Sequence, residues 1–199
     1  MNEFSWHNPC RLEFGRSRRD GFMATIAGLA DRVLLLYGGG SIKANGVYDL
    51  VTKALAAHRI TAVELSGVEP NPKIASVREG VRLCRAHGLK LVLAVGGGSV
   101  IDCAKGIAAG VPYAGDPWDF YIGKARIKDP LPVAAWLTLA ATGSEMNGGS
   151  VVSNPETRDK RPAMDHSLIP VTSLLDPDAT MTLPARQTAA GTADIMSHV

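Results

Sequence analysis

The chain has 199 residues, 46% of them hydrophobic and 20% charged, which is material for one sizeable core, or for one domain and the start of another, and too apolar for a disordered segment. Its formal net charge is +2 and its basic residues are scattered rather than striped, so the footprint of a nucleic-acid binder is absent and a small-molecule partner is expected. Residues 1–11 hold no signal-peptide stretch and no window reaches membrane-span length, so a soluble, cytoplasmic protein without a membrane partner is expected. Cys10, Cys84 and Cys103 are odd in number and lack C-x-x-C spacing, so they read as buried or inert thiols rather than a disulfide framework or zinc knot.

Residues 32–37 (RVLLLY), 60–65 (ITAVEL) and 90–95 (KLVLAV) are continuous apolar runs of strand length, the pattern of parallel strands covered on both faces. Between them, 46–58 and 73–87 carry apolar residues at helical spacing: Val47, Leu50, Val51, Ala54 and Leu55 in one, Ile74, Val77, Val81 and Leu83 in the other. A helix over 99–109 and a strand over 133–138 continue the β-α alternation, which predicts an α/β, doubly wound, mainly parallel Rossmann-like sheet. Residues 143–165 are rich in Gly, Ser, Asn and charge, with Pro155 and Pro162 interrupting, and predict short antiparallel strands or a long loop over the sheet, facing ligand. A short apolar run at 171–175 ends at Asp176-Pro177, and a helix is expected from Pro184. The expected division is therefore a dinucleotide-binding domain at 1–183 and, at 184–199, only the start of a second, all-helical domain.

Two glycine clusters, Gly38-Gly39-Gly40-Ser41 and Gly96-Gly97-Gly98-Ser99, each follow a predicted buried strand and precede a predicted helix. Ligands of open α/β sheets sit at such carboxyl ends, where helix amino termini offer unpaired N–H groups and glycine lets a pyrophosphate approach the backbone. Ser99 and Asp102 are spaced as in a capping box, which would specify the second helix start. Neither cluster matches G-x-G-x-x-G or a P-loop. One such turn alone could be a tight turn without ligand; two in successive halves of one sheet favour a ligand.

Four segments in order carry a family resemblance: Val68-Glu69-Pro70-Asn71-Pro72, Gly96-Gly97-Gly98-Ser99-Val100-Ile101-Asp102, Thr138-Leu139-Ala140-Ala141-Thr142-Gly143-Ser144-Glu145 and Gly191-Thr192-Ala193-Asp194-Ile195-Met196-Ser197-His198. They resemble motifs of the iron-containing alcohol dehydrogenase family, particularly its NADPH-dependent butanol dehydrogenase and aldehyde reductase branch, over a length corresponding to the amino-terminal half of a member. The resemblance implies an α/β dinucleotide domain followed by a helical domain, with divalent iron or zinc in the cleft. It assigns Gly97, Gly98 and Ser99 to the pyrophosphate turn, Val100 beside them, and Asp102 toward the nicotinamide side. It places Thr138, Thr142, Ser144 and Asn147 along the cofactor channel, where hydroxyl and amide groups can bond phosphate, ribose or carboxamide. Lys160 matches a lysine that reaches the cofactor, although without the resemblance these polar residues read better as solvated loop.

A site preferring NAD usually has a carboxylate after a strand near the adenosine ribose, and this chain has Gly38, Gly39, Gly40 and Ser41 there instead, so NADP(H) is expected over NAD(H). Lys43 lies nearby and could assist or be a plain exposed lysine; Asn71 would border the adenosine side or serve turn chemistry alone. Asp194 and His198, four apart on one predicted helical face, could form half of an Fe2+ or Zn2+ site, and the flanking resemblance supports that over a surface pair. His7, His58, His87 and His166 are not assigned to the metal. The resemblance implies hydride transfer between nicotinamide and a small alcohol or aldehyde, with the metal polarising the substrate oxygen. It takes two further histidines from downstream of Val199, so this chain alone is expected to be feebly active or inactive. A homodimer is a further expectation. Two other readings stay open: a cofactor-binding fragment without catalysis, and an enzyme related to glycerol dehydrogenase or dehydroquinate synthase.

Overall fold

A computed structural model describes Glu3, Ser5 and residues 7–198, for His198 the backbone alone. Six parallel strands form the sheet: β1 (Arg11–Phe14), β2 (Arg32–Tyr37), β3 (Thr61–Leu65), β4 (Leu91–Gly96), β5 (Val133–Leu137) and, after the intervening hairpin, β8 (Thr172–Leu175), in the order β1-β8-β5-β4-β2-β3. Helices α1 (Arg19–Ala27), α2 (Ser41–Ala44), α3 (Val47–Ala57), α4 (Ile74–His87), α5 (Gly98–Gly110) and α6 (Trp118–Tyr121) connect them.

The apolar runs are continuous because each central strand feeds two cores. Along β4, Leu91, Leu93 and Val95 face a cluster with Phe22, Met23 and Ile26 of α1 and Val51 and Leu55 of α3. Val92 and Ala94 face the opposite cluster, with Ile74, Val77 and Val81 of α4 and Ile101, Ala104 and Ile107 of α5. Burying one such Leu contributes about 1.5–3 kcal/mol, and a polar residue at any of these positions would forfeit that on a face with no solvent access.

Strand order locates the ligand crevice. The chain runs from β2 outward to β3, returns to place β4 on the other side of β2, then proceeds through β5 and β8 toward the opposite edge. The direction of winding therefore reverses between β2 and β4, and the crevice at such a reversal is where open α/β sheets take ligands. Both glycine clusters stand at that reversal.

Residues 143–165 form the predicted antiparallel pair, β6 (Gly149–Asn154) with β7 (Asp159–Met164), in register from Gly149 opposite Met164 to Asn154 opposite Asp159. Pro162 is tolerated because β7 pairs with β6 alone and no second ladder needs its missing N–H. A parallel bridge between Lys73 and Ser153 ties the hairpin to the start of α4. The helix expected from Pro184 is α7 (Ala185–His198), and it packs closely where a Cβ on Gly191 would stand 2.6 Å from the Ala140 carbonyl oxygen.

The sequence reading does not give the short helices α2 and α6, and it also misses β1 and α1. Strand β1 is a four-residue edge whose partner among the described residues is β8, 161 positions away from Arg11 at Thr172, so no local pattern announces it. Helix α1 carries Phe22, Met23 and Ile26 at helical spacing but has Gly21 in its first turns, which weakens its propensity.

Candidate functional site

The second glycine turn is built against the loop that follows β5. Gly97 caps α5 in an extended conformation without a side-chain capping bond, and helix α5 begins at Gly98. The first N–H groups of the helix thus lack intrahelical acceptors and face the crevice. A Cβ on Gly98 would stand 2.5 Å from Thr142 Oγ1, and one on Gly96 would stand 2.5 Å from Val100 Cγ2. Glycine at these two positions is favoured by the protein's own packing, because the Thr142 side chain fills the space beside Gly98 and the Val100 side chain the space beside Gly96. The first turn differs: nothing lies within 4 Å of a Cβ built on Gly39 or Gly40.

The expected capping box is not formed. The helix starts two residues earlier than its spacing requires, so Ser99 sits inside the first turn, and its Oγ accepts from Asn71 N at 3.3 Å. Asp102 is turned away from the helix start and accepts from Ser144 Oγ at 2.9 Å and from Val151 N at 3.0 Å. Burial raises its pKa above the usual carboxylate value, opposed by the bonds from Ser144 and Val151.

A cavity of about 170 Å3 opens at this end of α5, lined by Asn71, Pro72, Gly98, Ser99, Asp102, Thr142, Val151 and Lys160. Residues from four distant segments meet there: the Pro-Asn-Pro turn, the α5 start, the loop after β5 and the hairpin. Asn71 holds a left-handed backbone (φ 55°), and its Oδ1 accepts from Lys160 Nζ at 2.6 Å. Two roomier grooves, of about 500 and 480 Å3 around Phe120 and Arg126, lack any glycine of either turn. Volume therefore does not select the site; topology and the convergence of polar groups do.

The other expected residues sit less directly. Ser144 is buried beneath the cavity, donating to Asp102 and accepting from Thr142 Oγ1 at 3.0 Å. Asn147 is outside the lining, and its Oδ1 accepts from Gly149 N at 2.9 Å. Thr138 follows β5, its N–H donating to the Gly96 carbonyl at 3.0 Å. Lys43 does not point at the first turn: its ammonium lies 5.5 Å from the Tyr37 ring centre and 4.8 Å from that of Tyr48. Those two tyrosines donate to Glu64 at 2.6 and 2.7 Å, which pushes the Tyr48 hydroxyl up to about 12 and holds the Glu64 carboxyl below its ordinary value.

Lys105 is the residue that the sequence reading passed over. It has 0% exposure, and its ammonium donates to the carbonyls of Ser144 (2.7 Å), Asn147 (2.7 Å) and Gly149 (2.8 Å) and to Asn147 Oδ1 (3.1 Å). Burial lowers its pKa to about 8, opposed by the charges of Asp102, Glu145 and Cys10. The signal was present: Asp102 and Lys105 are the only charges in an otherwise uncharged thirteen-residue helix, and such isolated charges are buried only when paired.

For the metal, Asp194 lies on α7, while the side chain of His198 falls outside the described residues. Among the described residues no three His, Cys, Asp or Glu side chains gather as a metal-binding group. The cysteines are free and buried, and burial pushes the thiols of Cys84 and Cys103 up to about 12, as expected of inert thiols. No helix among the described residues is long and apolar enough to cross a membrane.

The segments that build this crevice lie within a stretch that matches a known family. Residues 9–177 match the family described as iron-containing alcohol dehydrogenase. The chain belongs to that family. It is 47% identical over its whole length to NADH-dependent butanol dehydrogenase B of Clostridium acetobutylicum and 43% identical to the NADPH-dependent aldehyde reductase YqhD of Escherichia coli, covering 51% of each. A crystal structure of NADH-dependent butanol dehydrogenase A from Thermotoga maritima superposes with a TM-score of 0.94 at 46% identity, over 100% of this chain and 50% of that one. The chain thus spans about half the length of these iron-containing alcohol dehydrogenases, and the parallel Rossmann-like sheet is their amino-terminal architecture.

Proposed function

We propose that this chain is the dinucleotide-holding half of an NAD(P)H-dependent oxidoreductase that interconverts small alcohols and aldehydes. The observation that carries the reading is the crevice between β2 and β4, where Gly98, Ser99, Asn71, Thr142 and Lys160 converge at the reversal of winding. A bound nicotinamide would supply or accept the hydride. The chain's own residues would do the holding. The N–H groups of Gly98 and Ser99 would donate to pyrophosphate oxygens at the positive end of α5. Lys160 would leave Asn71 for a phosphate or ribose oxygen, and Thr142 and Asn147 would supply polar contacts along the channel. Asp102 and Ser144, already bonded to each other, would set the floor of that channel, with Thr138 at its β5 side.

NADP(H) is preferred in this reading. Residues 38–41 carry no carboxylate to repel a 2′-phosphate, and Gly39 and Gly40 leave space of at least 4 Å where a side chain would stand. The relatives' names divide between NADH and NADPH, so the preference rests on this turn. Lys43, engaged with two tyrosine rings, is given no part in it.

Iron or zinc enters through Asp194 and His198. A catalytic centre takes about three protein ligands with one position open. The chain offers two, and no larger donor group is present among the described residues. Such a centre would need at least one ligand besides Asp194 and His198, and residues 184–199 would open a domain that brings it. Homodimerisation belongs to the same proposal; sedimentation measures it directly. Calorimetric titration of the chain with NADPH and NADH tests the cofactor reading: binding of both with NADPH tighter is expected, and binding of neither would overturn it.

A further inference from the structure

Burying a lysine ammonium costs several kcal/mol unless its surroundings repay it with acceptors. Lys105 meets four, and all of them come from one segment, residues 144–149. That segment continues directly from Thr142, whose Oγ1 occupies the place a Gly98 Cβ would take. One turn earlier on α5, Asp102 takes Ser144 Oγ at one end of the segment and Val151 N just past the other. The helix that begins at the glycine turn therefore grips, with two of its own charged side chains, the loop forming the opposite wall of the cavity. An apolar residue at 105 would leave three carbonyls converging on a point without a donor.

We propose that Lys105 is a positioning residue for the dinucleotide, holding residues 142–149 against the start of α5 so that Thr142 meets the cofactor in register with Gly98. This rests on the dinucleotide reading of the crevice. Lys105 does not touch the cavity, and it acts through the loop. The arrangement requires the protonated ammonium, since a neutral amine has two N–H donors for four acceptors. The titratable groups facing it are Asp102 on its own helix, Glu145 on the loop and Cys10 from the amino-terminal segment; Lys160 and Tyr121 lie within electrostatic range of Asp102. The Cys10 thiol is pushed up from its ordinary value by burial.

The test is the affinity of the full chain for NADPH and NADH between pH 7 and 9.5, for the natural protein, Lys105→Met and Cys10→Ser. The natural protein and Cys10→Ser should bind progressively more weakly as pH rises through about 8. Lys105→Met should bind on the order of tenfold more weakly at pH 7, with that decline abolished. Amides of residues 142–149 should also exchange faster in Lys105→Met at fixed pH while those of β2, β4 and β5 stay protected. A natural protein whose affinity is flat across this range overturns the proposal even if Lys105→Met fails to fold, as does a folded Lys105→Met with unchanged affinity. No binding of either dinucleotide to the natural protein overturns the underlying cofactor reading, a distinct result from either of these.

Discussion

Alanine placed at Gly39 and at Gly98 should separate what the fold demands from what a ligand demands. At Gly98 the added Cβ would stand 2.5 Å from Thr142 Oγ1 and 3.3 Å from its Cγ2, well inside van der Waals contact. Thr142 cannot yield cheaply, because Oγ1 donates to Ser144 Oγ at 3.0 Å and accepts from Ser144 N at 3.3 Å. Overpacking of this kind costs about 1–3 kcal/mol, which lowers the melting temperature of a chain this size by roughly 2–12 °C. At Gly39 the space is empty to 4 Å and the backbone does not have positive φ. Gly39→Ala should therefore be neutral or stabilising by about 0.4–1 kcal/mol, through the unfolded chain's lost freedom. If a 2′-phosphate sits on the first turn, that same methyl group obstructs it, and NADPH affinity should fall by on the order of tenfold, equivalent to about 1.4 kcal/mol. Thermal unfolding and calorimetry on both variants measure the two quantities independently. A Gly39→Ala protein that melts normally and binds NADPH as before would refute the placement of the adenosine end at residues 38–41. A Gly98→Ala protein with unchanged stability would refute the steric argument.

The doubly wound sheet was legible because its central strands are buried on both faces, and 32–37 and 90–95 can hardly be read otherwise. The two glycine turns were legible as turns, but the reason for glycine was not. For Gly96 and Gly98 it is the side chains of Val100 and Thr142, one close in sequence and the other 44 positions away, that exclude a Cβ. Asn71 and Lys160 could be guessed singly from the resemblance, yet their direct bond at 2.6 Å spans 89 positions and has no local trace. Asp102 misled in an instructive way: its spacing from Ser99 suited a capping box, and tertiary partners in the loop and hairpin outcompeted that local bond. Lys105 was readable in principle as a lone cation in an apolar helix. What it binds was not, since its acceptors are mostly backbone carbonyls and carry no sequence identity.

Gly39→Asp should shift preference toward NADH, because the new carboxylate repels a 2′-phosphate and accepts from a free 2′-hydroxyl; equal or increased NADPH preference in calorimetry would count against the assigned turn. Asp194→Ala in a protein assembled with the remaining metal ligands should lose bound iron or zinc and aldehyde reduction together, read by metal analysis and NADPH oxidation, and retention of both would remove Asp194 from the metal site. The pH dependence of stability should report Lys105 with a sign opposite to that of binding. Its folded pKa of about 8 lies below the ordinary 10.5, so between these values the unfolded chain binds more protons and the stability contribution of this group rises with pH. The rise is at most on the order of 3 kcal/mol, and the four oxygen acceptors, which favour the ammonium, reduce it. Over part of the same range the buried thiols and Tyr48 act the other way: their folded pKa values are raised, so stability is lost once the unfolded groups ionise. The quantity to measure is therefore the difference in unfolding free energy between the natural protein and Lys105→Met, in which those groups cancel. That difference should move in favour of the natural protein from pH 8 to 10.5, while its dinucleotide affinity declines. A difference that stays constant would mean that the buried ammonium is not strained by its surroundings, and the account of residue 105 given by its burial would fail.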